Sequence, residues 1–467
     1  MSTGAVPVVP KPLKLDSRAC TFPYYVLLRL EEPAGDEGLC GEVLSVENQR
    51  AMGVAVAKLG LQLLEHLQPS PEEPNVLISP LSISLALSQL ALGARKETEE
   101  QLLQALHVKD LPCHHEVLSS IQQQLNPMIT QVASRLYLRA GFQVKDLFLQ
   151  ESLRLYKSGP ATLSGVEAVN HWVEETTKGH MKNFLSTIPA NVVLILINAV
   201  HFKGEWESRF EKEFTSKELF YVDSKKSVEV DMMVAPKYPL SMLVDEMLGA
   251  QVARFRFQND TSFLVVMPLP MHENVSTVAA KLNISDLYDR LPAETTMQVK
   301  LPKLSLEYKK ELQEALSVNG LGSLFSGPDL SGITNGPLQV SSVQHASAIQ
   351  LNEEGAEASA ATSIHLLRSI PMFTVNMPFF FALTDDTSHV PLFLGIVTNP
   401  SPGAELIELN DEPQNDGPAA CESPQAIEPS GDGAGTPDPT NGEQKNNTEL
   451  KTGAGNCPKP SLTLPSA

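Results

Sequence analysis

The sequence predicts one large α+β domain, with an irregular leader before it and an acidic tail after it. Three observations carry this reading. Stretches of alternating or unbroken apolar residues recur over about 350 residues, separated by segments with three- and four-residue apolar spacing, so strands and helices are interspersed. No internal repeat is visible. After Pro400 the composition shifts to Pro, Gly, Asn, Asp and Glu.

Residues 1–44 are dotted with proline and irregular. The start, MSTGAVPVVPKPLKL, is not a convincing signal peptide, because its apolar stretch is short, broken by Pro7 and Pro10, and lacks a basic lead. The domain is expected over 45–400. VENQRAMGVAVAKLGLQLLEHL has helical spacing. The segment NVLISPLSISLALSQLALGARKETEEQLLQAL predicts a short buried strand and two helices, with Ser79 as N-cap and Pro80 at the first helical position. ASRLYLRAGF alternates as a strand does, and VEAVNHWVEETTKGHMKNFL predicts an amphipathic helix over 166–185. The nearly unbroken apolar run that opens NVVLILINAVHFKGEW predicts a strand buried on both faces. Further strands are expected at SVEVDMMV, VARFRF, SFLVVMPL, TMQVKLPKLSLEY, FTVNMPFFFALTD and HVPLFLGIVTNP. Residues 401–467 hold 11 acidic residues against 3 lysines, −8 of the formal net charge of −20, with almost no apolar clusters. Such a segment is predicted to stay disordered.

Several function classes lose support. The acidic balance argues against a nucleic-acid binder, which needs a basic face. No apolar run reaches the roughly 18 residues of a membrane span. The five cysteines, Cys20, Cys40, Cys113, Cys421 and Cys457, show no zinc spacing. No phosphate loop, GxSxG or HExxH is present. His114-His115-Glu116 has the residue types of a metal or acid-base cluster but reads rather as a solvated helix start after Pro112, and His180 and His201 read as structural histidines. A Ser-His-Asp site leaves no sequential mark, and nothing here points to one. The chain is expected not to be an enzyme, and no metal or cofactor is implied.

The most informative stretch is NEEGAEASAATSIHLLRSIPMFTV, residues 352–375. Alternate residues Ala356, Ala358, Ala360, Thr362 and Ile364 are small or β-branched, while the intervening set is mostly polar. That period-two pattern suits a strand with one face buried against something close. It also suits an ordinary hairpin strand followed by a loop. Arg368 is the basic residue between Glu354 and Pro371, the titratable His365 apart.

Across about residues 45–400 the chain resembles a serpin. NVLISPLSISLALSQLALGA, LINAVHFKGEW, LPKLSLEY, DLSGIT, VQHASAIQLNEEGAEASAATS and VNMPFFF…PLFLGIVTNP follow in the family's order. Met377 departs from the pattern, which usually has a polar or basic residue before the Pro-Phe pair. The resemblance implies a fold of three β-sheets with about nine helices and an exposed reactive loop, about 353–371. It implies inhibition of a serine protease by loop cleavage followed by strand insertion. Glu353, Gly355, Ala356, Ala358, Ala360 and Thr362 then form the hinge. Non-inhibitory relatives often break that hinge with a charge or proline where this chain has Ala356.

Ser79, Ser82, Asn198 and His345 match the family's polar cluster where the central strands part. Trp206, Lys303 and Glu353 match the entry point above it, with a Lys303–Glu353 ion pair expected. Arg368-Ser369 is the implied reactive bond, suited to a trypsin-like protease such as plasmin and hence to control of fibrinolysis. The family's commonest spacing puts the bond one residue later, and a loop one residue shorter, as in one branch, selects Arg368. That branch also implies a Cys40–Cys113 disulfide, leaving the pairing of Cys20, Cys421 and Cys457 open. It implies glycans at the sequons of Asn259, Asn274 and Asn283, and tail lysines Lys445, Lys451 and Lys459 that contact kringle domains. Together these imply a secreted monomer. The competing expectation is a non-inhibitory serpin acting as an extracellular binding protein.

Overall fold

A computed structural model describes residues 44–126, 130–270, 274–356 and 370–409. Nine α-helices occur among the described residues: α1 (Val46–His66), α2 (Pro80–Gly93), α3 (Lys96–Ala105), α4 (His114–Gln124), α5 (Asp146–Tyr156), α6 (Val166–Thr176), α7 (Val275–Ala280), α8 (Ile284–Arg290) and α9 (Gln313–Leu316). Fifteen strands accompany them. They are β1 (Asn75–Ile78), β2 (Thr130–Arg139), β3 (Ala161–Leu163), β4 (Leu194–Lys203), β5 (Ser216–Tyr221), β6 (Lys226–Asp245), β7 (Ala250–Phe257) and β8 (Thr261–Pro268), then β9 (Thr295–Pro302), β10 (Leu304–Glu311), β11 (Val340–Leu351), β12 (Met372–Thr374), β13 (Phe379–Asp385), β14 (Pro391–Val397) and β15 (Leu406–Glu408).

The strands form two hydrogen-bonded networks. One is five-stranded, in the order β10-β11-β4-β2-β3. The other follows β1-β14-β13-β8-β7-β6-β9-β12, with β5 and β15 also on β6. Three sheets are expected; the second and third are continuous because the 20-residue β6 passes through both. It pairs with β9 from Met232 to Leu240 and with β7 from Ser241 to Asp245, and a register shift against β9 falls between Ala235 and Tyr238.

The five-stranded sheet is buried on both faces. Along β4, Leu194, Leu196, Val200 and Phe202 join the main core. The alternate residues Ile195, Ile197 and Ala199 join a smaller cluster with Val169 and Val173 of α6. This explains the unbroken apolar run, since period two places successive residues on opposite faces.

The elements depart from expectation at three junctions. The helix over 166–185 stops at Thr176, because Lys178 and Gly179 have positive φ (52° and 81°) and cannot continue it. The segment beyond crosses the sheet instead, with Met181, Phe184 and Leu185 buried on the smaller cluster. TMQVKLPKLSLEY is two strands, β9 and β10, in different networks, divided after Pro302. FTVNMPFFFALTD likewise divides into β12 and β13 before Pro378.

Candidate functional site

The site begins at a seam. β4 and β11 pair directly and in parallel, from Val340 opposite Leu194 to Gln350 opposite Lys203. The outer neighbours of this pair, β2 and β10, are antiparallel to them. Parallel ladders are slightly weaker per residue. The chain that leaves the end of β11 is the hinge segment.

Beneath the seam lies a buried polar cluster. Asn198 on β4 and His345 on β11 stand opposite each other. Ser79 caps α2, and Pro80 follows at its first position, as the sequence predicts. The Ser79 backbone N–H donates to His345 Nε2 at 3.2 Å. The ring proton therefore sits on Nδ1, which donates to Asn198 Oδ1 at 2.7 Å. Ser82 Oγ reaches the same Oδ1 at 2.7 Å, and Asn198 Nδ2 donates back to the Ser82 carbonyl at 2.9 Å. Burial pushes the His345 pKa down to about 3, so the neutral ring is the form that fits. Protonation would set a second N–H against the Ser79 donor. The cluster thus ties α2 to both strands of the seam. Ser347 on β11 adds a bond to the Leu77 carbonyl of β1, at 2.5 Å, which the sequence did not signal.

Above the seam sits a latch built on Trp206. Its indole is fully buried and stacks on Phe257, with centroids 4.2 Å apart and 14° between planes. Indole Nε1 donates to the Asn352 carbonyl at 2.6 Å. Trp206 N–H donates to the Glu354 carbonyl and Ala356 N–H to the Trp206 carbonyl, at 3.0 and 2.9 Å. Between them, Gly355 lies so close that a Cβ there would fall 2.4 Å from the Trp206 carbonyl oxygen. Glycine is needed at this approach for its missing side chain.

Glu353 anchors the latch from the other side. Its carboxylate is almost fully buried and accepts from Lys303 Nζ at 3.0 Å and Thr215 Oγ1 at 2.8 Å. Burial opposes the charge, but the Lys303 ammonium and Thr215 hydroxyl outweigh it and hold the pKa below the ordinary range. Lys303 is available because the chain breaks between β9 and β10 there. Thr215 and the Lys203–Glu354 pair, at 2.9 Å, carry no local sequence signal and meet only in the fold.

Of the other expected residues, Asn259, Asn274 and Asn283 are all exposed. Asn259 lies in the β7–β8 turn, and Asn274 and Asn283 cap α7 and α8. Cys113 is disulfide-bonded. Cys40, Ala358, Ala360, Thr362, Arg368, Ser369, Lys445, Lys451 and Lys459 lie outside the described residues. His115 at the start of α4 is not solvated but packs on Tyr156, with its Nδ1 2.5 Å from the hydroxyl. His201 bonds Gln131 at 2.9 Å and stacks on His180. Among the described residues, no group of His, Cys, Asp and Glu could hold a metal ion, and no helix is long and apolar enough to cross a membrane.

This arrangement fastens the chain leaving β11 to Trp206 at the top of a parallel seam. The comparisons agree with that architecture. Residues 54–400 match the family model described as Serpin (serine protease inhibitor). The chain is 42% identical over 386 residues to alpha-2-antiplasmin of Mus musculus, covering 81% of this chain and 79% of that protein. It is 30% identical over 365 residues to pigment epithelium-derived factor of Homo sapiens, covering 75% and 87%. The solved structure of uncleaved ovalbumin superposes with a TM-score of 0.67 at 26% identity, covering 75% of this chain and all of that one.

Proposed function

This chain belongs to the serpin family, and from that premise we propose that it is a suicide-substrate inhibitor of a trypsin-like serine protease, plasmin being the favoured target. The observation that carries the reading is the direct parallel pairing of β4 and β11 with a small, latched hinge at its end. A ribbon turning back from the end of β11 runs antiparallel to β11 and, because β4 is parallel to β11, antiparallel to β4 as well. Insertion therefore replaces one parallel ladder with two antiparallel ones. A gain of about ten backbone bonds at ~1 kcal/mol each is on the order of 10 kcal/mol. That matches a whole domain's stability and suffices for a one-way change, so the starting form is held kinetically.

Arg368 is the bait and Arg368-Ser369 the reactive bond, since trypsin-like proteases bind basic side chains through an acidic pocket. Plasmin is favoured because the relative at 42% identity is, by its name, an antiplasmin. On the same reading the protein is a secreted glycoprotein, joined Cys40 to Cys113, whose tail lysines approach the protease's kringles. It acts once per protease and is not an enzyme.

The test is incubation of the wild-type chain and Arg368→Ala with trypsin and with plasmin, followed by denaturing electrophoresis. The wild type is expected to form a covalent complex and Arg368→Ala none. A complex that survives Arg368→Ala would overturn the bond assignment. Simple cleavage of the wild type, with no complex, would favour the non-inhibitory binding protein.

A further inference from the structure

The sequon Asn274-Val275-Ser276 lies in the wall of a groove of about 880 Å³. That size falls in the range of ligand pockets. The groove is where six remote parts of the chain meet: the segment after α1, the β5–β6 turn, the end of β8, the start of α7, the approach to β13 and the end of β14. Pro69, Leu269, Met377 and Pro378 supply apolar surface; Gln68, whose Nε2 donates to the Leu64 carbonyl, and Asp223, whose Oδ1 accepts from the Lys225 and Lys226 N–H groups, leave Oε1 and Oδ2 as the polar groups. Met377 is the residue that departs from the family's usual polar side chain, and its thioether here makes an apolar wall.

The orientation of Asn274 is set by its cap. Oδ1 accepts from the Thr277 backbone N–H at 2.9 Å and from Thr277 Oγ1 at 3.0 Å. With the oxygen turned to the helix, Nδ2 is on the opposite side of the amide. A sugar on Nδ2 leaves the cap intact.

We propose that this groove is a carbohydrate seat for the chain's own N-linked glycan at Asn274. In the attachment step, Nδ2 forms a bond to the anomeric carbon of a lipid-linked oligosaccharide diphosphate. The diphosphate leaves and Nδ2 loses one proton. The innermost rings then lie in the groove, their C–H faces against Met377, Pro378 and Leu269 and their hydroxyl and acetamide groups toward Gln68 and Asp223. Both parts follow how small-ligand sites work, apolar contact with a few polar groups fixing orientation. Tethering makes the binding intramolecular, so weak contacts suffice. The inference rests on the secreted-glycoprotein reading above.

Asn259 supplies the comparison, because it lies on an exposed turn with positive φ (64°). The full chain, expressed in glycosylating cells, is treated with a peptide N-glycosidase under native conditions, and release at each site is followed by mass spectrometry. A seat favoured about tenfold slows release about tenfold, since the enzyme acts on the unseated fraction. Release at Asn274 is expected to be about tenfold slower than at Asn259, to match it after denaturation, and to quicken in Met377→Ser. Equal native rates, or a difference that persists after denaturation, would overturn the seat. An empty Asn274 beside an occupied Asn259 would overturn it too, while sugar at neither site would instead sink the glycoprotein reading beneath it.

Discussion

The Lys303–Glu353 pair offers a quantitative test of the latch. Lys303→Met keeps the aliphatic stem and removes only the charge. Glu353, with 5% of its side chain exposed, is then a buried carboxylate that retains Thr215 as its side-chain donor. Breaking a fully buried pair costs about 3–5 kcal/mol. Lys303 is 36% exposed, so solvent already screens part of the attraction, and about 2 kcal/mol is the expected loss. In a domain of this size that is a fall in Tm of roughly 2–4 °C. Calorimetry measures it, and the rate of spontaneous loss of inhibitory activity on warming reports whether the seam has loosened. Lys303→Met/Glu353→Gln should recover more than half of the loss, because no unpaired charge remains buried. The pH dependence has a definite sign. Glu353's carboxyl is held low in the fold, so the pair's contribution is complete above the ordinary carboxylate range and disappears as pH falls through the depressed value. Equal melting of wild type and variant at neutral pH, or no recovery in the double variant, would refute the reasoning.

Two further outcomes are expected. His345 has a folded pKa of about 3 against an ordinary 6.5, so the unfolded chain binds the proton more readily between those values. Its contribution to stability is complete above pH 6.5 and falls by about 1.4 kcal/mol per unit of acidification towards pH 3; His345→Gln should flatten the melting-versus-pH curve in that window. Ala356→Arg places an unpaired charge on the face that enters the sheet, so the chain should still be cut but the stoichiometry of inhibition should rise several-fold or more above about one, read by titrating protease activity.

Of the polar cluster, Ser79-Pro80 was legible from local rules, as a cap and a first-turn proline, while Ser82, Asn198 and His345 were named only from the resemblance. Trp206 and Gly355 could be named from the resemblance, but the 2.4 Å approach that requires glycine is visible only when β11 and the chain after β4 are brought together. Thr215 and Ser347 were not legible at all, since each acts on a partner more than a hundred residues away. Element types were read correctly where periodicity was long. The errors fell at Lys178-Gly179, Pro302 and Pro378, where the apolar pattern runs on while the backbone turns into another layer. β15, three exposed residues on the edge of β6, has no burial to impose a pattern and so left none.

The central claim is that the cut ribbon becomes a strand of the five-stranded sheet. It is tested most directly by cutting the loop with a protease that the chain does not trap, and melting the cut and intact forms side by side. At on the order of 10 kcal/mol for the new ladders, the cut form should melt about 10–20 °C above the intact one. A cut form that melts within a few degrees of the intact chain, or below it, would contradict insertion and with it the inhibitory mechanism.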